Sequence, residues 1–481
     1  MKRNKKIALF ATGLMAVSIM SCTKKFESIN TNPNSPTDAP ATNVLANAIQ
    51  NVGANIYDVW ANMNEPETYA GHLAKIQYID EARYSFRTGT VENDWTYDYR
   101  ILHDLQGVID NGSATPNMKA AALTLQSLVL QIVTDTWRDV PWTQAIKGSG
   151  GFIAPAYDTQ EALYDTLTAH LQMAADLFKS GGTDDLGDGD LLYNGKVEKW
   201  QKFCNSLRLR VAIRMANAAP EKAKPIIESI FANPTDYPVF AGNDDNAFIV
   251  WPGSDPYFEP WYDDYQGRDD HAVSDVLINQ LKSTSDPRLE VYAQPAATDG
   301  AYTGAPIGPA GSLPNIGRFS RIGARFRENP SGFTPLQRWS EVLFIEAEAA
   351  AKGWTVPMGA AAAYDAAVSA SMTENGLTTG DAQAFLTLNP YKTEADIHMQ
   401  KWVALFKDGH EAWAEERRTD IPLLPAAPGS AYTGHTRPPF RYPYTTKENT
   451  LNGANLAPFL AKVKDNFWGQ QMFWDKRTNV Q

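Results

Sequence analysis

The chain has 481 residues, 55 of them acidic against 43 basic, for a net charge of −12. That balance opposes binding to nucleic acid, where affinity rests on Lys and Arg neutralising phosphates, and two cysteines exclude a disulfide framework. The length exceeds one core of ordinary size, so two sub-lobes or a repeat layer with insertions is expected.

At the N-terminus Lys2, Arg3, Lys5 and Lys6 precede an apolar run, 7–20, which is shorter than the about 20 residues a spanning helix needs. Residues 1–21 therefore read as a secretory signal peptide. Ile19-Met20-Ser21-Cys22 matches a bacterial lipobox, in which Cys22 becomes the lipidated N-terminus with a diacylglycerol and an N-acyl chain. Removing the leader takes four basic residues and no acidic one, so the charge becomes −16. Cys204 is then left without a partner cysteine. Residues 22–40, polar and rich in Pro and Asn, read as the acylated end and an extended tether. The remainder, 41–481, is the folded body.

Helical patterning begins at 42–55, where Val44, Leu45, Ala48, Ile49 and Val52 share one face. The stretch Asn93-Asp94-Trp95-Thr96-Tyr97 reads as a loop ahead of a helix at 99–108, and Asn93 and Trp95 are candidate ligand contacts. Further helices are expected at 120–135, 161–179 and 200–218. The last carries Arg208, Arg210 and Arg214, cations that suit the negative end of a helix dipole. The acid-rich 184–190 invites a calcium reading. Counted from Asp184, however, an EF-hand would need an oxygen ligand at Leu186 and a glutamate at Gly195, so a solvated turn is expected, with no metal and no cofactor.

From 233 to 335 the pattern lapses into Pro, Gly, Asp and aromatic residues, with short β-like pieces at 247–251 and 289–293. An aromatic-rich irregular insert of this length is a functional loop and not a disordered one. Within it, 251–268 interleaves rings with short polar groups, the combination that stacks on sugar faces and bonds their hydroxyls. Trp261, Tyr262, Tyr257 and Asp263 are the ligand contacts expected there. Helices return at 336–353, 360–374, 381–388, 394–408 and 409–418, and 422–481 is again loop-like. The pair 338–352 and 360–374 resembles a degenerate tetratricopeptide unit, with Trp339, Leu343, Ala347 and Ala350 facing Ala360, Tyr364, Ala367, Val368 and Ser371. A generic helical hairpin is the alternative. The fold class is mainly α.

Catalytic signatures are absent from the sequence: no His-Glu-x-x-His, no Gly-x-Ser-x-Gly, no phosphate-cradling loop. Paired carboxylates of the kind glycoside hydrolysis uses occur as Asp263 and Asp264 with Asp269 and Asp270, and as Glu415 and Glu416. The latter precede Arg417 and Arg418, so ion pairing explains them more simply. A non-enzymatic binding protein is expected. An exported glycoside hydrolase and a helical-repeat scaffold for protein partners are the other readings.

Several stretches together resemble the SusD/RagB family of nutrient-binding outer-membrane lipoproteins, in its SusD-like branch. They are Phe26-Glu27-Ser28-Ile29-Asn30-Thr31-Asn32-Pro33-Asn34, Tyr193-Asn194-Gly195 with Trp200 through Arg210, Glu341 through Ala350, Glu416-Arg417-Arg418-Thr419-Asp420-Ile421-Pro422, and Arg441-Tyr442-Pro443-Tyr444. The resemblance implies degenerate tetratricopeptide units beneath a loop-rich face. It also implies an oligosaccharide or peptide ligand, and a SusC-like TonB-dependent transporter as partner at the outer membrane. Where the family has Gly-Asp before the Trp200 helix, this chain has Gly195-Lys196.

Overall fold

A computed structural model of the chain describes residues 39–480 apart from 151, 183, 185, 464 and 466; the leader, Cys22 and nearly all of the tether lie outside the described residues. The helices α1 (Ala41–Asn51), α2 (Pro66–Tyr69), α3 (Thr88–Asp110), α4 (Pro116–Trp137), α5 (Gln160–Ser180), α6 (Val197–Arg214) and α7 (Pro220–Ala232) form the first half. In the insert lie α8 (Pro260–Tyr265), α9 (Asp275–Ser283), α10 (Leu289–Tyr292) and α11 (Ala324–Arg327). Then follow α12 (Trp339–Ala351), α13 (Ala360–Glu374), α14 (Thr379–Leu388), α15 (Glu394–Ala404), α16 (Gly409–Thr419), α17 (Thr446–Leu451) and α18 (Gly453–Leu460). Strands are few: β1 (Leu73–Lys75) pairs antiparallel with β5 (His271–Val273), β2 (Val140–Pro141) with β3 (Tyr157–Asp158), and β4 (Ala247–Val250) with β6 (Phe333–Gln337). The fold is mainly α, as the sequence implies.

Local chemistry sets most boundaries. Thr115, Thr159 and Ser274 cap α4, α5 and α9 through their hydroxyls, with Pro116 in the first turn of α4, and Thr378 and Thr393 form capping boxes on α14 and α15. Each of α3 to α7 packs on the next, and α12 packs on both α13 and α15. One core joins the N-terminal helices to Phe440, Tyr442, Trp468 and Trp474. A second lies under the insert, built on Trp261, Tyr292, Phe326, Trp402 and Phe406. A third fills the α12–α15 unit, where Tyr364 sits among Leu343, Ala347, Ala367, Phe385 and Ile397.

Four expectations need correction. Residues 93–97 are not a loop but the first half of α3; Asp94 and Asp98 occupy buried positions on its inner face beside Val91 and Ile101, so apolar periodicity could not show it. Residues 289–292 are a helical turn, α10, and only Ala293 is β-like, bridging to Ile322. Helices α7, α8, α9 and α11 lie where none was expected, and α17 and α18 lie in 422–481, which reads as loop-like. The first helix ends at Asn51 and passes into π-helical turns at Val52–Ile56 and Val59–Met63. Gly53 is needed in the first of these, because a Cβ there would lie 2.8 Å from the Trp251 ring.

The arginines of α6 do more than answer a dipole. Arg210 donates from Nε to Glu341 Oε1 at 2.6 Å across to α12, and Arg214 pairs with Glu411 of α16. Arg418 grips both oxygens of Glu348, at 2.7 and 2.6 Å, and also pairs with Glu415, which Lys401 meets at 3.0 Å. Glu416 pairs with Arg477 at 3.0 Å. Ion pairing is therefore the occupation of Glu415 and Glu416.

Candidate functional site

Helix α8 is only six residues long, so its position depends on how it is fastened. Glu259 caps it, accepting from the backbone N–H of Trp261 and Tyr262 at 3.0 Å each, and Pro260 fills the first turn. The Glu259 carboxylate is buried and reaches Lys407 Nζ at 3.0 Å. Burial raises the Glu259 pKa, and Lys407 opposes that rise. Under this pair lies the Trp261 ring, 1% exposed, with Lys407 Nζ 4.8 Å above it and Phe406 edge-on at 6.4 Å. A ring enclosed in this way has no face to offer a sugar, so the stacking role expected of Trp261 does not fit its position. Its part is to anchor α8.

The outer side of α8 borders an open cleft of about 300 Å³. Its walls include Trp60, Phe258, Trp251, Asp58, Asp263 and Asp264. Trp60 stands on the π-helical turn Val59–Met63 with 43% of its surface exposed. Asp58 caps that turn, its Oδ1 accepting from Ala61 N at 2.7 Å. Trp251 is held from behind by a bond from its Nε1 to Thr334 Oγ1 at 3.0 Å, and Phe258 leans on Tyr262 at 5.5 Å. Burial pushes the Asp58 carboxyl up to about 6 against the pull of two backbone N–H bonds, and the Asp264 charge adds to the rise. Asp264 is likewise raised to about 6, mainly by burial, with Arg268 acting the other way. Among the described residues, Asp58, Asp263 and Asp264 form no ion pair.

The structure thus brings Asp263 to the cleft and sets Tyr262 behind Phe258. Tyr257 is 45% exposed on the same loop but does not line the cleft. Asn93 and Trp95 are elsewhere, on α3; Asn93 is exposed, and Trp95 is packed between Tyr99 at 4.9 Å and Trp137 at 5.2 Å. The Asp269 and Asp270 pair is engaged by cations: Asp269 accepts from Arg321 and Arg327, and Asp270 from Arg268. Sequence reasoning missed Trp60 and Asp58. The available signal was Asp58-Val59-Trp60, a ring two residues after an acid and shortly past the apolar stripe of α1.

Two other clusters can be weighed for metal. Glu348, His398 and Glu415 lie close enough together to hold an ion, yet Arg418 and Lys401 already neutralise both carboxylates. In 184–190, Asp190 accepts from the N–H groups of Leu192, Tyr193 and Gly195 at 3.0, 3.0 and 2.8 Å, so its oxygens tie down a turn.

A family model described as "Starch-binding associating with outer membrane" matches residues 33–445. The chain belongs to the SusD-like family. Solved structures agree on the fold. A chitin-binding SusD homologue from Flavobacterium johnsoniae is 23% identical, with a TM-score of 0.79 over 91% of this chain and 98% of its own. A SusD homologue from Bacteroides thetaiotaomicron is 21% identical, with a TM-score of 0.77 over 92% of this chain and 100% of its own. One from Bacteroides uniformis is 23% identical, with a TM-score of 0.79 over the same shares. No curated protein matches. Among the described residues of this SusD-like protein, no helix is long and apolar enough to cross a membrane. Lys196, standing where the family has an aspartate, is the N-cap of α6 and makes no side-chain capping bond.

Proposed function

We propose that this SusD-like protein is a non-enzymatic nutrient-binding lipoprotein, held at the outer membrane through Cys22. It captures an oligosaccharide in the Trp60 cleft and passes it to a SusC-like TonB-dependent transporter. The observation that carries this reading is the exposed Trp60 ring beside short carboxylates in an open cleft, in a chain whose family is described as starch-binding. Sugars present apolar C–H faces to a ring and hydroxyls to acceptors, and such a wall meets both needs. A peptide ligand is the variant of this reading with less in its favour, because the family description names a polysaccharide. The anchor is tested directly: Cys22→Ala is expected to leave a folded protein in the soluble fraction. Retention on membranes after a high-salt wash would point to another anchor.

The ligand is tested by titrating starch-type and chitin-type oligosaccharides and a peptide library against the full chain in mild detergent. Saccharide binding that Trp60→Ala weakens supports the cleft. Saccharide binding that the variant leaves intact moves the site elsewhere on the molecule.

A further inference from the structure

The charge of the cleft is one-sided. Three carboxylates, Asp58, Asp263 and Asp264, line it, and no Lys, Arg or His does. The cations that act on Asp264 are committed: Arg268 donates to Asp270 from Nε at 2.8 Å, and Lys75 donates to Glu81 and Asn64 at 3.1 and 3.0 Å. A neutral sugar laid over these acids would strip water from them without supplying charge, which is costly for ionised groups. A protonated amine on the sugar would instead give each a charge-assisted partner, and the same ammonium would sit favourably against the Trp60 face. Resting on the saccharide reading above, we infer that the cleft selects oligosaccharides bearing a free amine, such as de-N-acylated hexosamines, over their N-acylated or neutral counterparts. Shape and the aromatic wall make the cleft a site, and the acids determine which charge it accepts.

Two of these acids, Asp58 and Asp264, are raised into the same range. Asp58 faces Asp264 and, from α3, Asp94; Asp264 faces Asp263, Arg268, Asp270 and Lys75. Because Asp58 and Asp264 are each raised to about 6, the cleft gains negative charge as pH rises through that value. Amine preference should rise with it and fall again where the amine loses its proton.

The test is calorimetry of the full chain in mild detergent with four probes: a glucosamine oligomer, its N-acetylated counterpart, a glucose oligomer and oligolysine. The glucosamine oligomer should bind about ten- to a hundredfold more tightly than the other two sugars, the worth of a charge-assisted hydrogen bond. Asp264→Asn and Asp58→Asn should each bring that ratio toward one; asparagine can still accept the Ala61 N–H, so the π-helical turn keeps its cap. Should either variant fail to fold, Asp263→Asn, at the exposed carboxylate of the same cleft, decides, and a ratio unchanged in it overturns the inference. Equal affinity for all three sugars also overturns it while leaving the saccharide reading standing. Tighter binding of oligolysine would replace the sugar by a cationic peptide, and no binding of any sugar would overturn the parent reading along with this one.

Discussion

Two tryptophans close together in space show how much a single side chain's direction decides. Trp261 follows Glu259 and Pro260, a cap and a first-turn proline that start α8, and its ring packs inward against Phe406 and Lys407. Trp60 sits beyond the buried stripe of α1 and faces solvent. The two should therefore respond oppositely to truncation. Trp261→Ala is expected to cost about 3–5 kcal/mol of stability, as for other large buried rings. Trp60→Ala should leave the urea midpoint nearly unchanged and weaken saccharide binding by about 1–3 kcal/mol, taking ring stacking on nucleobases as the guide. Equal loss of stability in both variants would mean that Trp60 is a packing residue. Composition alone marked 251–268 as rich in rings beside acids, and Asp263 does line the cleft. Which ring faces outward depends on the tertiary partners Lys407 and Phe406, more than a hundred positions away in the chain, and no local pattern encodes that.

At the scale of elements, the stretches on α6, α12 and α16 that carried the family resemblance turn out to be structural. Arg210 of α6 meets Glu341 of α12, and Arg418 of α16 meets Glu348 of α12, all of them buried. These ionic contacts join three helices from distant parts of the chain, which is why such motifs could reveal the fold and say little about the ligand. A buried pair is strongly destabilising when halved but close to neutral when replaced whole. Glu341→Ala should therefore lower stability by about 3–5 kcal/mol, and Arg210→Met with Glu341→Leu should recover most of it in urea denaturation. If the double variant is as unstable as the single one, Arg210 is needed for Glu411 and Asp408, at 3.6 and 3.7 Å, as much as for Glu341. Helix existence was legible where apolar residues kept a helical period over four or more turns, as in α4 and α5, and it was missed in the shorter amphipathic α7 and α9. For α3 only the half from 99 onward was legible, because Asp94 and Asp98 stand in the buried stripe of its first half. The N-cap of α6 offers a simple gain: Lys196 has extended backbone angles and no capping bond, so Lys196→Asp should add about 0.5–2 kcal/mol. No change in the melting temperature would mean that another group already satisfies the first turn.

Over the whole molecule, burying so many acids ties stability to protons. Asp408 lies 3.7 Å from Arg210, yet Arg210 is engaged by Glu341, and burial with the charges of Glu411 and Glu341 holds the Asp408 pKa up at about 8. Burial likewise raises Glu65 and Glu416 to about 7. His398 is raised too, burial opposing the rise and Glu348, Glu394 and Glu415 together driving it. Each of these groups holds its proton more tightly folded than unfolded, so between pH 6.5 and 8 the native state binds more protons, and stability must fall as pH rises. His271 and His410, buried and lowered, act in the opposite sense, but only below about pH 6.5, where the unfolded histidines begin to charge. Glu341, Glu348 and Glu415 are lowered and contribute stability that is lost only in acid, below the ordinary carboxyl range. The melting temperature should therefore decline steadily from pH 6.5 to 8 and be accompanied by proton release on unfolding. Asp408→Asn isolates one term: asparagine can still accept the Glu411 N–H that Asp408 takes at 3.3 Å, but it has no proton to lose. The variant should show a shallower decline, most visibly between pH 7 and 8. A slope unchanged from the parent protein would mean that Asp408 is ionised in the native state and that Arg210 serves it as well as Glu341.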